Sequence, residues 1–453
     1  MQISVELDPD RRKALWNGFV ACDICVPELN IRERLFMPYE KFHRYCGARE
    51  SLVEDFLFVS SVCFGVDLLV GRENAADNWT RELSVEIPVR DVDLWNNQAT
   101  LLGEILRFLT GDKWILRFSR RVVPLYIQRM NRRRTNRRVA DIVCLFSGGL
   151  DSFLGALDCL SKSTEHIALV GHYDAGLARP SQSVLFQELR KTYGRARSHL
   201  FQARIGFQPV ERTEAADFGE STQRSRSLVF IALGVYIAHQ QGKDRNIPVL
   251  IPENGFIALN PPLTYSRLGS CSTRTVHPLF LEKLQLFINN MGINTPLSNP
   301  FAGQSKGEML NLSPQSELAK SLAHLSVSCA HPTRRQNWIR RSVQHCGYCV
   351  PCLVRRASMH AAGIDDGLQY GIDVFAGELD IYEEVGADFR AVLNLLSNWN
   401  SDSQYVRKLV NRMSIPSGQY EQATTVIGKQ LEEFRELVNS KATREIKLWA
   451  GLK

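Results

Sequence analysis

Two kinds of segment are missing from this 453-residue sequence. No apolar run reaches the roughly 18 residues that a membrane-crossing helix needs, and the opening MQISVELDPD has neither the basic start nor the apolar core of an export signal. Both absences lead to the expectation of a soluble, cytoplasmic protein with no membrane partner. No internal repeat or low-complexity tract occurs, which argues against a repeat architecture. The 11 cysteines are an odd number, and they read as reduced thiols or metal ligands rather than as a disulfide framework.

What is present suits a globular chain. Its length suggests two or three domains, and 44% hydrophobic residues suffice for sizeable cores. The net charge of +7 is concentrated, because RRVVPLYIQRMNRRRTNRR, from Arg120 to Arg138, holds eight arginines and no acid. Such a stretch suits RNA, an acidic protein or a phosphate-bearing substrate. A solvated connector between two domains is the plainer expectation.

Hydrophobic period divides the rest. In residues 1–119, ESLVEDFLFVSSVCFGVDLLV reads as a buried helix with a strand at its end, and RELSVEIPV and KWILRF read as strands around the amphipathic helix LWNNQATLLGEILRFLT. An α+β domain is expected there. After the connector 120–138, strands at 141–146, 167–173, 198–204 and 248–252 alternate with helices at 152–162, 181–193 and 223–241. That alternation predicts an α/β domain over 139–363, with a parallel sheet covered on both faces. Its ligand should lie beyond the carboxyl ends of the strands. Residues 364–453 read as helical and are expected to serve packing or assembly.

The stretch DIVCLFSGGLDS, residues 141–152, joins the first of those strands to a helix whose apolar positions are Phe153, Leu154, Leu157 and Leu160. The unpaired N–H groups and dipole of a helix start attract an anion. Gly148 and Gly149 let the backbone approach it closely, and Ser147 and Ser152 add hydroxyls. Asp151 belongs beside an anion only if a cation such as Mg²⁺ joins them. Phosphate and metal are therefore expected at Ser147, Gly148, Gly149, Leu150, Asp151 and Ser152. The turn holds no lysine, so it is not a Walker A loop.

The second informative stretch is SCAHPTRRQNWIRRSVQHCGYCVPCLVRRAS, which spaces Cys346, Cys349 and Cys352 as C-x₂-C-x₂-C with Cys329 upstream. Four thiolates on a short segment, 329–352, match a closed tetrahedral zinc site that adds folding energy. Arg355 and Arg356 could lower the thiol pKa values and offset the site's negative charge. An iron–sulfur cluster is the main competitor, although the Cys-Pro continuation of the ferredoxin pattern is missing. His331 or His345 could replace one of the ligands, but an ordinary surface histidine is the expectation for each.

With both motifs located, residues 139–363 resemble the PP-loop ATP pyrophosphatases, which have a HUP-like nucleotide-binding fold, and among them the QueC family that makes 7-cyano-7-deazaguanine. LFSGGLDS is similar to the family's PP-loop, and HCGYCVPCLVRRAS looks like its zinc segment. RSRSLVFIALGVYIA resembles its second helix motif, with Arg226 at the family's arginine and Ser227 where asparagine is usual. NPFAGQSKGEMLNL is similar to its Pro…Lys-x-Glu segment, which puts Lys306 and Glu308 at matching positions. The family's acidic substrate-binding stretch is only weakly echoed by IPENGFIALNPPL, and its enzymes lack the N-terminal domain and the helical tail. The longer layout looks like the QueC-like proteins of bacterial anti-phage systems, the QatC component of the Qat system among them.

The resemblance implies an ATP-dependent ligase in which a carboxylate attacks the α-phosphate of ATP and an amine opens the acyl-adenylate. Residues Ser147 to Ser152 would hold pyrophosphate and Mg²⁺, Lys306 would neutralise phosphate charge, and Arg226 would contact nucleotide or substrate. Glu308 is expected to orient Lys306 or to act as a helix N-terminal acid. Glu253 and Asn254, just past a strand end, are expected to read a purine-like base. The added regions lead to the expectation of a deazaguanine-type carboxylate joined to an amine of a partner protein from a defence operon. Three alternatives remain open: ammonia as the amine, tRNA modification with the arginine-rich connector on RNA, and a non-catalytic ATP-binding subunit.

Overall fold

The computed structural model describes residues 1–7, 20–47, 51–125, 139–173, 177–207, 223–242, 245–263, 274–332 and 335–452. Of the arginine-rich connector 120–138, residues 126–138 lie outside them. Of its first two residues, Arg120 closes a strand, and Arg121 is buried with its guanidinium 2.8 Å from Asp55 Oδ1.

Two sheets organise the described residues. The first has six strands in the order β5-β4-β1-β2-β3-β9. They are β1 (Gln2–Glu6), β2 (Val20–Val26), β3 (Ile31–Met37), β4 (Glu82–Val89), β5 (Lys113–Arg120) and β9 (Gly206–Phe207). β1 runs parallel to β4 and antiparallel to β2. Strict alternation buries one face of β1, β4 and β5 and leaves the other, polar except for Pro88 and Ile115, partly or fully exposed. The helix Leu52–Leu69 is almost wholly buried, and its apolar residues face every side while the carboxylates of Asp55 and Asp67 are paired with Arg121 and Arg81. No strand follows it, contrary to the expectation from its sequence.

The second sheet is wholly parallel, in the order β11-β10-β6-β7-β8. Its strands are β6 (Ile142–Leu145), β7 (Ile167–His172), β8 (Ser198–Ala203), β10 (Val249–Leu250) and β11 (Leu297–Ser298). All six residues of β7 are buried, the pattern of a strand covered on both faces. The helix Leu150–Lys162 packs on one face of this sheet with Cys144 and Phe146. The helix Arg226–Gly242 shares the other core with Val143 and Leu145. Strand order reverses between β6 and β10, which puts the carboxyl end of β6 at the switch point where open α/β sheets bind ligands.

The N-terminal sheet and the parallel sheet share one core. Phe42 packs on Tyr236 with ring centroids 5.5 Å apart, and Tyr45 on Phe201 at 4.5 Å. β9, from beyond β8, extends the N-terminal sheet by pairing with β3. The helices Ala387–Trp399, Ser403–Asn411, Tyr420–Lys441 and Arg444–Trp449 build a further core that takes in Phe256, Leu353 and Val354 of the α/β region. Among the described residues, no helix is long and apolar enough to cross a membrane.

Candidate functional site

The turn after β6 is built as its residue types require. Gly148 has φ +85, and a Cβ there would stand 3.1 Å from the Gln182 backbone nitrogen, so glycine answers both the conformation and the close approach. Gly149 is the N-cap of the helix Leu150–Lys162. Its N–H donates to Ser147 Oγ at 3.2 Å, and the Leu150 N–H donates to Ser328 Oγ at 3.4 Å. Ser147 and Ser152 hydroxyls lie 3.1 Å apart. The first N–H groups of the helix are thus gathered with three hydroxyl groups, an arrangement suited to phosphate oxygens.

Asp151 sits in the first turn of that helix and is buried. Lys306 Nζ stands 3.1 Å from its Oδ1. The Asn254 backbone N–H and Nδ2 donate to its Oδ2 at 3.0 and 2.7 Å. Burial alone would raise the Asp151 pKa, yet Lys306, followed by bonds from Glu253 and Asn254, outweighs it and holds the carboxyl below its usual range. Glu253 moves the other way: burial, and then the adjacent Asp151 charge, push its carboxyl well above the usual range. Asp151 therefore carries the charge and Glu253 the proton of a carboxyl–carboxylate pair.

Glu253 and Asn254 are thus turned onto Asp151, which replaces the expectation that they read a base. Asn254 is also the N-cap of the helix Gly255–Leu259, accepting from the Ile257 N–H at 3.0 Å. Asn299 fixes Glu253, accepting from its N–H at 3.2 Å and donating to its carbonyl at 2.8 Å. An open groove of about 720 Å³ adjoins this point, lined by Asn299, Ala302, Leu281, Gln285, Gln419 and Gln422 among others.

Lys306 begins the helix Lys306–Leu312. Glu308 does not orient it. Its carboxylate accepts from the Ser305 N–H at 3.0 Å in a capping box and pairs with Lys429. Arg226 starts the helix Arg226–Gly242 and donates to Gln223 Oε1 at 3.3 Å. Its charge, after burial, helps push the His172 imidazole at the end of β7 down to about 3. Arg226 therefore lies along the same carboxyl edge, but the partners of Asp151 are Lys306, Asn254 and Glu253.

The four cysteines meet as expected. The sulfurs of Cys329, Cys346, Cys349 and Cys352 all lie within 4.8 Å of one another. Zn–S bonds of about 2.3 Å put tetrahedral sulfurs about 3.8 Å apart, and Cys346 and Cys352 sulfurs are 3.7 Å apart. Backbone N–H groups of His331 and Cys346 donate to Cys329 Sγ, and that of Cys349 to Cys346 Sγ. The set can hold a metal ion such as zinc. His345 is no ligand here: its Nε2 accepts from the Ser328 N–H at 3.3 Å. His331 stacks on Tyr348.

Of the two arginines expected to offset the thiolate charge, Arg355 interacts with Cys352, whereas Arg356 is engaged elsewhere. Arg356 binds Asp365 and Asp373. Arg355 donates to Ser326 Oγ at 2.8 Å and to the Ala323 carbonyl at 2.7 Å. It thereby holds the segment leading to Cys329, every residue of which is tied. Leu325 and Gly148 carbonyls both accept from Ser181 Oγ, and Val327 N–H donates to the Gly148 carbonyl at 3.0 Å. Ser328 reaches Leu150, and Cys329 joins the metal set. No motif pointed to Ser181 or to residues 325–328, because their role is a tertiary contact with no local periodicity.

No protein-family model matches the chain, and no curated protein matches it. The chemistry of the site is therefore argued from its own groups.

Proposed function

We propose that this chain is a QueC-like PP-loop enzyme of the kind found in bacterial anti-phage defence, similar in layout to QatC. It adenylates a deazaguanine-type carboxylate with ATP, releases pyrophosphate, and passes the acyl group to an amine on a partner protein. The observation that carries this reading is the convergence of Lys306, Glu253 and Asn254 on Asp151, at the end of β6, beside helix N–H groups and serine hydroxyls.

Each group has a task in that reaction. Gly149 and Leu150 N–H groups and the Ser147, Ser152 and Ser328 hydroxyls bind phosphate oxygens of ATP. Asp151 and Glu253 would hold Mg²⁺, which supplies neutralisation of phosphate charge. Lys306 follows the charge that grows on the leaving pyrophosphate as the substrate carboxylate forms its bond to the α-phosphorus and the bridging P–O bond breaks. The amine then attacks the acyl carbon, and AMP leaves with the bonding electron pair. No protein nucleophile is needed, so the chain's contribution is orientation and exclusion of water. Zinc on the four cysteines staples the segment that closes the loop.

The test is incubation with ATP, Mg²⁺, 7-carboxy-7-deazaguanine and the neighbouring gene products, with nucleotide analysis and intact-protein mass spectrometry. AMP, pyrophosphate and an ATP-dependent mass increase on a partner are expected. Release of ADP and phosphate would overturn the adenylation. Conversion of the free base by ammonia with no partner modified would overturn the protein acceptor.

A further inference from the structure

Lys306 reaches Asp151 from the first residue of a seven-residue helix, and the residues on either side of it lie against one carboxyl. Glu433, on the helix Tyr420–Lys441 of the C-terminal region, accepts from the Ser305 hydroxyl and packs on Gly307. Its other oxygen accepts from Ser358 Oγ at 3.1 Å and from Gln430 Nε2 at 3.2 Å. A Cβ on residue 307 would lie 2.4 Å from Glu433 Oε1, so the carboxylate occupies the space that any larger residue would need.

We propose that Glu433 is the positioning residue for Lys306, which makes the helical C-terminal region part of the phosphate-binding site rather than packing alone. The inference rests on the function proposed above. Burial raises the Glu433 carboxyl above its usual range against the bonds from Ser305 and Ser358, and a buried carboxyl costs free energy unless its oxygens are bonded in this way. Simple packing against the turn would be met by an apolar side chain. Ser358 lies on the helix Val350–Ala361 that also carries Cys352, and Lys429 adds a second tie to Glu308. The turn bearing Lys306 is therefore gripped from the C-terminal helix and the cysteine-bearing helix together. The Lys306 side chain is almost fully buried, so a displacement of its backbone is passed directly to its ammonium.

The test is calorimetric titration of the full chain with inorganic pyrophosphate and with Mg·ATP, for wild type, Glu433→Gln, Lys306→Ala and the double variant. Glu433→Gln should weaken pyrophosphate binding about tenfold through misplacement of the ammonium, with zinc content unchanged. If Glu433 acts through Lys306, the double variant binds no more weakly than Lys306→Ala alone, whereas independent effects would add. Wild-type affinity in Glu433→Gln, or its full loss repeated on the Lys306→Ala background, overturns the inference. Should Glu433→Gln not fold, Ser358→Ala loosens the same carboxylate without touching the Lys306 helix and is read by the same cycle. Wild-type protein that binds neither probe overturns the proposed function, and this inference falls with it.

Discussion

The Lys306 ammonium stands 3.1 Å from Asp151 Oδ1, with the two side chains only 5% and 7% exposed, and Glu253 is bonded to the same aspartate. One ammonium balances one carboxylate, so Glu253 stays protonated at a cost that depends on pH. Its folded pKa is raised, which means that it favours the folded state least at high pH: stability is lost as pH rises above the unfolded value and through the raised one. Glu253→Gln imitates the protonated acid and removes that loss. The variant should melt above wild type, by a margin that widens from pH 5 to pH 8 in calorimetry. The same variant should bind Mg·ATP more weakly, because an amide is a poor Mg²⁺ ligand.

Cys346→Ser should lower zinc below one ion per chain by elemental analysis and reduce the yield of folded protein, since a thiolate site contributes folding free energy outright. Iron in anaerobically purified protein, with a visible charge-transfer band, would contradict the zinc assignment. Because Cys329 directly follows the Ser328 that touches Leu150, metal removal should also speed protease cleavage near the β6 turn.

Much of this was legible in the sequence, and the limits have physical causes. Parallel strands buried on both faces are apolar throughout, and β6, β7 and β8 lie within one residue of where their composition put them. The helix Ala178–Tyr193 starts three residues before the predicted 181, because Pro180 falls in a first turn, where its missing N–H costs nothing. β1 to β3 went unread, although Ile3 and Val5 alternate with Gln2, Ser4 and Glu6 as a half-buried strand should. In the site, Ser147–Ser152 and the cysteines carried local signals of spacing. Glu253, Asn254, Ser328 and Glu433 act on residues far away along the chain, and only the fold brings them together.

Gly148→Ala tests the turn itself. An L-residue at φ +85 costs about 1–2 kcal/mol, and the added Cβ would press on the Gln182 nitrogen at 3.1 Å and the Ala178 carbonyl at 3.2 Å. Urea unfolding should show at least that loss, while zinc content remains unchanged.

Arg81 is buried between Asp67 at 2.6 Å and Asp112 at 2.5 Å, with Arg72 also on Asp112. Asp67 Oδ2 in turn accepts from the N–H and hydroxyl of Ser225, beside Arg226. Arg81→Met leaves buried carboxylates short of a partner and should cost about 3–5 kcal/mol at neutral pH. Burial would raise the Asp112 pKa, but Arg81 and Arg72 outweigh it and the carboxyl titrates low. Its contribution is present above the unfolded value and fades as pH falls through the folded one. The gap between wild type and variant should therefore hold down to about pH 4 and narrow below it, as measured by urea unfolding at pH 7 and pH 3.

The ties between residues 325–329 and the β6 turn also bear on how the protein is made. A ribosome releases the Ser-Gly-Gly-Leu-Asp-Ser turn long before it releases Asn254, Lys306, Ser328 and Glu433, and contacts so distant in sequence form late in folding. A nascent chain, or one clipped before its final helices, carries the motif without its walls. The turn thus comes into its finished form only when nearly the whole polypeptide has been synthesised.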